Sequence, residues 1–330
     1  MFEEDAYEEI SAFYRALDNA SAVTLLTHLN PDADTIGTAL GIYHLVKRHL
    51  RVPVEVVNLS DDLPVYLDFL PGFERIKRKR DFDGLVIACD GADISRFGLD
   101  AKELEGATVV NIDHHAGNTR FGHINIVSSY ASTGETAFEI FKPHFVVTKE
   151  AAQCFYTALV SDTRHFTVSA VDEATFRRAS ELIALGANPA RTAYNLTQRK
   201  SLASLRLLQR ALASLRLYDD ATVAVMMLYP EDFEATGARM SDLDGIVEYG
   251  RMLATVDVAL LISAFDDGKV RVSMRSKRSD VAAVLASLGG GGHPHAAGVM
   301  LSGVDPQQIR DTILRNISEI QSENDETKKE

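Results

Sequence analysis

The sequence predicts an α/β protein. An N-terminal doubly wound, mostly parallel sheet domain is followed by a smaller C-terminal α/β domain, the two joined by a helical linker. Three observations carry this reading. Short apolar runs alternate with segments of helical period, the pattern of buried parallel strands with crossover helices. A second and shorter α/β pattern begins after Asp219-Asp220. The 330 residues suffice for two domains at roughly 150 residues each. The expected division is a first domain over 1–196, a linker over 197–217, a second domain over 218–322 and a charged tail over 323–330.

Each element has a local reason. Residues 3–18 carry Tyr7, Ile10, Phe13, Tyr14 and Leu17 at helical spacing, and Asn19-Ala20-Ser21 breaks the pattern. Val23-Thr24-Leu25-Leu26 is a buried-strand run, and after a polar loop Ile36 to Leu50 reads as a helix. Further strands are expected at 52–58, 84–89 and 107–112, and helices at 132–142, 149–160 and 173–186. The last of these stops at Gly186, with Pro189 beyond it. The linker segment is rich in Leu, Ser and Arg and has no Gly or Pro, so it reads as a connecting helix. The second domain is expected to hold a strand at 221–228, a helix near 241–252 and a hairpin from about 256 to 275 turning at Asp266-Asp267-Gly268. A helix at 280–287, a glycine loop, a strand at 296–301 and a helix at 306–320 complete it. The polar, charged residues Ser322 to Glu330 predict a frayed tail.

Composition narrows the function. Hydrophobic residues at 46% and charged residues at 25% are ordinary globular values, which excludes a disordered or fibrous chain. The net charge of −13 argues against coating long nucleic acid, while a small nucleotide remains compatible with it. Cys89 and Cys154 cannot build a disulfide framework and fit a reducing compartment. The acidic start Met1-Phe2-Glu3-Glu4-Asp5 is unlike a signal peptide, and no apolar run approaches the ~20 residues of a membrane span, so a cytoplasmic protein is expected. A Gly-x-Ser-x-Gly elbow, a Cys-x-x-Cys pair and a Gly-x-Gly-x-x-Gly fingerprint are all missing from the sequence.

The informative feature is where Asp and His fall. His28-Leu29-Asn30-Pro31-Asp32-Ala33-Asp34 follows the first strand, Asp90 the run ending Ala88-Cys89, and Asp113-His114-His115 the run ending at Ile112. Ser161-Asp162-Thr163 ends the helix at 149–160. Sites in open α/β sheets assemble at the carboxyl ends of strands, so three clusters converge at one edge and a helix can bring the fourth. Each cluster alone has a plainer explanation: an Asx-capped turn at Asn-Pro-Asp, a turn at Asp90-Gly91, a surface His-His pair, a polar helix end. Four such coincidences at four element ends are a poor account. Four carboxylates brought together repel unless cations sit between them. Asp32, Asp34, Asp90 and Asp162 match the charge of two divalent ions, and His28 and His114 add nitrogen donors. Mixed imidazole and carboxylate ligation favours Mn²⁺ over Mg²⁺, with Zn²⁺ and Fe²⁺ as alternatives.

These four clusters, in order, resemble the motifs of the DHH phosphoesterases, whose name is the third motif, Asp113-His114-His115. Gly289-Gly290-Gly291-Gly292-His293-Pro294-His295-Ala296-Ala297-Gly298 looks like the signature of the DHH-associated substrate domain, so the resemblance covers about residues 20–320. It implies that His28 and Asp32 ligate one metal and Asp34, His114 and Asp162 the other, with Asp90 bridging. His115 would contact or protonate the phosphoryl group, and Asp113 would orient a ligand histidine or the loop.

Glycines without Cβ let backbone N–H groups approach an anion, so Gly291, Gly292 and His293 are expected to grip a terminal phosphate or sugar, while His295 packs within the loop. In the alternating strand Val272-Ser273-Met274-Arg275-Ser276, Arg275 can hold a phosphate bidentately, and the resemblance adds Ser276 as its partner in substrate contact. The basic run Arg75 to Arg80 reads as a solvated loop.

Within the family, the resemblance points to the branch of nano-RNases, or oligoribonucleases, which degrade very short RNAs to mononucleotides and in many cases dephosphorylate 3′-phosphoadenosine 5′-phosphate. Exonucleases of long single strands carry extra domains, the pyrophosphatase branch lacks the glycine-histidine loop, and membrane-bound cyclic-dinucleotide phosphodiesterases need spans. A phosphodiesterase for cyclic di-AMP or its linear product is the rival enzyme reading, and a non-catalytic nucleotide sensor the rival of another class. The apolar linker helix offers a face for a homodimer.

Overall fold

The computed structural model describes residues 4–99 and 101–327; the acidic start Met1–Glu3 and the last three residues of the charged tail lie outside the described residues. The chain divides into two compact units, residues 1–199 and 200–330.

The first unit is built on six parallel strands: β1 (Val23–Thr27), β2 (Val54–Val57), β3 (Ile76–Lys77), β4 (Leu85–Cys89), β5 (Thr108–Asp113) and β6 (Ile124–Val127). Their order is β3-β2-β1-β4-β5-β6. The chain works outward from β1 in one direction and from β4 in the other, so the strand order reverses between β1 and β4, where open sheets bind ligands. The period of two sorts the strands' side chains. Leu25, Ile87, Val110 and Ile112 face α1 (Glu4–Asp18), α2 (Ala33–His49), α3 (Thr133–Phe141) and α4 (Lys149–Asp162). Leu26, Val86, Ala88 and Val109 face the other side, under Phe97 and Leu104. Two further helices, α5 (Glu173–Ala184) and α6 (Pro189–Thr197), close the unit.

Helices α2 and α4 meet through small residues. A Cβ on Gly37 would lie 2.7 Å from the Cys154 carbonyl and 3.1 Å from the Ala158 methyl, and one on Gly41 would lie 2.4 Å from the Phe155 ring. A Cβ on Gly134 of α3 would lie 2.5 Å from the same Ala158 methyl. Glycine is what lets the three backbones come this close. The closeness places Asp34, at the start of α2, beside Asp162, at the end of α4.

The second unit has a mixed sheet, β11-β12-β10-β9-β8-β7. Its strands are β7 (Arg216–Tyr218), β8 (Val223–Leu228), β9 (Val258–Ala264), β10 (Lys269–Ser276), β11 (Gly291–His293) and β12 (Ala296–Ser302). Alternation again sorts the core. Val223, Val225, Leu260 and Ile262 pack with α10 (Val281–Ala286) and α11 (Pro306–Thr327), while Ala224, Met226, Ala259 and Leu261 pack with α7 (Leu202–Ser214) and α9 (Ile246–Arg251). The short helix α8 (Pro230–Thr236) completes the unit.

Several elements differ from the sequence reading. Residues 197–217 are not one helix: α7 packs Leu207 and Ala211 into the second unit's core, and β7 follows it in that unit's sheet. The helix expected near 241–252 is shortened by Gly245, whose φ of 80° breaks it. Within the basic run, Ile76–Lys77 form an edge strand, Lys77 pairing with Glu55 at 3.1 Å and Asp81 at 2.7 Å. The glycine loop forms a tight hairpin of β11 and β12, and α11 continues to Thr327. Among the described residues no helix is long and apolar enough to cross a membrane.

Candidate metal centre

At the carboxyl edge of the first sheet, β1 runs into His28, β4 into Asp90, and β5 ends in Asp113 before His114 and His115. Asp90 occupies the left-handed region (φ 65°), a conformation costing about 1–3 kcal/mol that clusters at functional sites. Its two oxygens divide the centre. Oδ2 lies 3.6 Å from His28 Nε2, and Oδ1 lies 3.7 Å from His114 Nε2. On one side His28 Nε2 is also 3.8 Å from Asp32 Oδ1. On the other, His114 Nε2 is 3.8 Å from Asp34 Oδ2 and 3.4 Å from Asp162 Oδ2. The structure therefore gathers His28, Asp32, Asp34, Asp90, His114 and Asp162 in the two groups that the sequence reading names, with Asp90 common to both.

The donor chemistry fits divalent cations. His28 Nδ1 hydrogen-bonds the Leu29 carbonyl at 2.9 Å and His114 Nδ1 the Tyr130 carbonyl at 3.2 Å, which turns each Nε2 toward the carboxylates. The ligand atoms of His28, Asp32 and Asp90 lie within 4.8 Å of one another, as do those of Asp34, Asp90 and His114. Separations of 3.4–3.8 Å are long for hydrogen bonds and suit donors around a cation with bonds of roughly 2.1 Å.

Charge balance points the same way. Burial and the charges of Asp90 and Asp162 push the Asp34 carboxyl well above its usual range, against the opposing charge of His114. Burial, with Asp90 and Asp32 nearby, pushes Asp162 up to about 6. His114 rises to about 9: burial opposes its charge, but Asp162, Asp34 and Asp90 outweigh it. At Asp90, burial is outweighed by His28, His115 and His114, which hold the carboxyl far below its usual range. The buried carboxyls oppose one another's charge, and a cation among them would relieve that repulsion.

His115 donates Nδ1–H to Asp113 Oδ1 at 2.7 Å, and its Nδ1 lies 3.7 Å from Asp90 Oδ1. Asp113 is fully buried, and its Oδ2 accepts from Asn118 Nδ2 at 2.6 Å. Asp113 thus orients His115.

Other contributors carried no side-chain signal in the sequence. Thr133 N and Gly134 N donate to Asp34 Oδ2 and Oδ1 at 2.8 and 2.9 Å, and Thr133 Oγ1 donates to Asp90 Oδ1 at 2.8 Å. The N-terminus of α3 faces an anion, as helix N-termini do. The Ser132-Thr133-Gly134-Glu135 start marks a helix N-terminus and could have flagged it.

In the second unit, Ser273 and Arg275 share a face of β10, and Arg275 Nε lies 3.3 Å from Glu248 Oε1. The Ser276 hydroxyl is buried, bonding the Ser279 carbonyl and His295 Nδ1, and Ser276 N–H donates to the His295 carbonyl at 3.1 Å. Ser276 thus clamps the turn that follows Gly291, Gly292 and His293. Gly292 has φ 143°, and a Cβ there would lie 2.3 Å from the Ala296 carbonyl.

A parallel sheet with His and Asp at its switch point, followed by a mixed-sheet unit with a glycine hairpin, is the plan of a two-domain phosphoesterase of the DHH type. The chain belongs to the DHH family: residues 22–159 match the DHH family N-terminal domain and residues 220–323 the DHHA1 domain. It is 31% identical to the bifunctional oligoribonuclease and PAP phosphatase NrnA of Thermus thermophilus, over 90% of this chain and 89% of that one. Against the cyclic-di-AMP phosphodiesterase PdeA of Listeria monocytogenes it is 25% identical over 89% of this chain and 47% of that one. Among solved structures, an exopolyphosphatase-related protein of Bacteroides fragilis shares the fold with a TM-score of 0.83 at 22% identity, covering 95% of this chain and 96% of that one. RecJ of Thermus thermophilus, solved in complex with Mn²⁺, has a TM-score of 0.57 at 12% identity, covering 97% of this chain and 55% of that one.

Proposed function

We infer that the chain is a metal-dependent phosphoesterase that hydrolyses short oligoribonucleotides to mononucleotides and dephosphorylates 3′-phosphoadenosine 5′-phosphate. The observation that carries the chemistry is Asp90, whose two oxygens face His28 and His114 on opposite sides. The likeness to the Thermus enzyme along nearly the whole chain carries the substrate class. His28 and Asp32 would hold one ion and Asp34, His114 and Asp162 the other, with Asp90 placed to serve both. The mixed nitrogen and oxygen donors favour Mn²⁺, the ion in the RecJ structure. When bound, the ions supply Lewis acidity toward a phosphoryl oxygen and lower the pKa of a nucleophilic water.

The remaining work falls to side chains. Asp113 holds the Nδ1–H of His115 and, with Asp90, favours its imidazolium form, so that Nε2–H would contact the phosphoryl group and pass its proton to the leaving oxygen, leaving the neutral Nδ1–H ring. Arg275 and the backbone of Gly291, Gly292 and His293 bind a terminal phosphate, on a hairpin that Ser276 holds from behind. The net charge of −13 suits short substrates over long nucleic acid, and two buried thiols suit the cytoplasm.

The test is turnover of a five-nucleotide RNA, a dinucleotide, 3′-phosphoadenosine 5′-phosphate and cyclic di-AMP with Mn²⁺, beside Asp90→Ala. Mononucleotides and free phosphate, both lost in the variant, are expected. Rapid cleavage of cyclic di-AMP with little RNA turnover would move the assignment to signalling, and no turnover of any substrate would end the enzyme reading.

A further inference from the structure

Residues 128–135, the loop after β6 and the first residues of α3, touch one side of the centre. The Tyr130 carbonyl accepts from His114, the amides of Thr133 and Gly134 hold Asp34, and the Thr133 hydroxyl reaches the Asp90 oxygen that faces His114. The other side is held differently. His28 leans on the Leu29 carbonyl, and Asp32 accepts from Asp34 N and Thr35 N at 2.9 and 3.1 Å.

Behind this segment lies Arg178 of α5, whose side chain is only 13% exposed. Its Nη1 donates to Glu135 Oε1 at 2.8 Å and its Nε pairs with Glu139 Oε1 at 3.1 Å. The guanidinium carbon stands 4.3 Å from the centre of the Tyr130 ring. The other Glu135 oxygen, Oε2, accepts the Ala131 amide at 2.9 Å. One planar cation therefore grips the ring of the residue whose carbonyl orients His114, and the carboxylate that ties down the next amide. A lysine cannot both stack on the ring and bridge two carboxylates.

We propose that Arg178 is a positioning residue for one of the two metal ions: it sets the affinity of the ion held by Asp34, His114 and Asp162 and leaves the ion on His28 and Asp32 unaffected. The inference rests on the metal-dependent reading above. Outer partners of metal ligands typically tune affinity by about 10–100-fold, so the expected effect is large and one-sided.

Mn²⁺ titrated into metal-free wild type, Arg178→Met and Arg178→Lys, followed by calorimetry and by the electron paramagnetic resonance of free Mn²⁺, tests this. Wild type is expected to bind two ions. In Arg178→Met one binding event weakens about tenfold or more while the other stays within about twofold, and Arg178→Lys does not restore it. Unchanged affinities, or an equal loss at both events with a lowered thermal midpoint, would overturn the proposal while leaving the metal-dependent reading intact. Wild type that binds no Mn²⁺ would overturn both. If Arg178→Met does not fold, Tyr130→Ala removes the ring but keeps the carbonyl. The same one-sided loss is expected there, and a symmetric loss or none overturns the proposal.

Discussion

Asp32 Oδ1 faces His28 Nε2 at 3.8 Å while the same oxygen caps helix α2 through the amides of Asp34 and Thr35. The turn-and-cap explanation of Asn-Pro-Asp and the metal explanation describe one carboxylate.

The two roles separate by mutation. Asn is as good a cap as Asp, so Asp32→Asn should keep stability within a few tenths of a kcal/mol, whereas Asp32→Ala loses about 1 kcal/mol. Both should weaken the Mn²⁺ event on the His28 side. Thermal melts of the metal-free proteins beside Mn²⁺ titrations check this. An Asn variant that binds like wild type would reduce Asp32 to a cap.

Gly41 offers a packing test. A methyl there meets the Phe155 ring at 2.4 Å, so Gly41→Ala should cost about 1–3 kcal/mol by overpacking. Forcing α2 from α4 also spreads Asp34 from Asp162. The expected result is a lower unfolding midpoint together with weaker Mn²⁺ binding, read by denaturant titration and calorimetry.

The pH response should differ between metal-free and loaded protein. His114 is raised to about 9, so the stability its charge provides is complete below its ordinary 6.5 and lost as pH rises through about 9. Asp162 is raised to about 6, so the folded state favours its proton and stability falls as pH climbs from about 3.8 to 6. A cation needs both groups deprotonated, so its affinity grows over the same range. The gap between loaded and metal-free melting midpoints should therefore widen from pH 6 to pH 9. A constant gap in scanning calorimetry would contradict this.

Gly292→Ala should separate the two units. Its Cβ would strike the Ala296 carbonyl at 2.3 Å, distorting the hairpin. We expect KM for oligoribonucleotides to rise about tenfold or more, equivalent to about 1.4 kcal/mol. Mn²⁺ affinity should not change. Equal loss in both measurements would mean that the damage spreads beyond the hairpin.

Much of the centre was legible because chemistry and topology coincide at strand ends. His28, Asp90 and Asp113-His114-His115 each follow an apolar run, and Asp162 ends a helix of clear period. What was not legible works through the backbone. The Tyr130 carbonyl and the amides of Thr133 and Gly134 are available on nearly any residue, so only three-dimensional placement gives them a role. Ser276, which the resemblance adds to substrate contact, bonds the Ser279 carbonyl and His295 Nδ1 through its hydroxyl, partners that no sequence pattern announces. The edge strand β3 was hidden by its charge, since Lys77 extends a basic run.

The Ala158 methyl lies between the backbones of α2 and α3 at the point where both reach α4. It works as a gauge block. The distance between the carboxylate at the head of one helix and that at the foot of another is machined by the size of a single CH₃ group. Larger side chains at Gly37, Gly134 or Ala158 are therefore expected to disturb the centre, although none of the three carries a side chain that takes part in the chemistry. A mutational scan scored on activity should show a ring of intolerant small residues behind the centre, and a search for reactive side chains alone would pass over it.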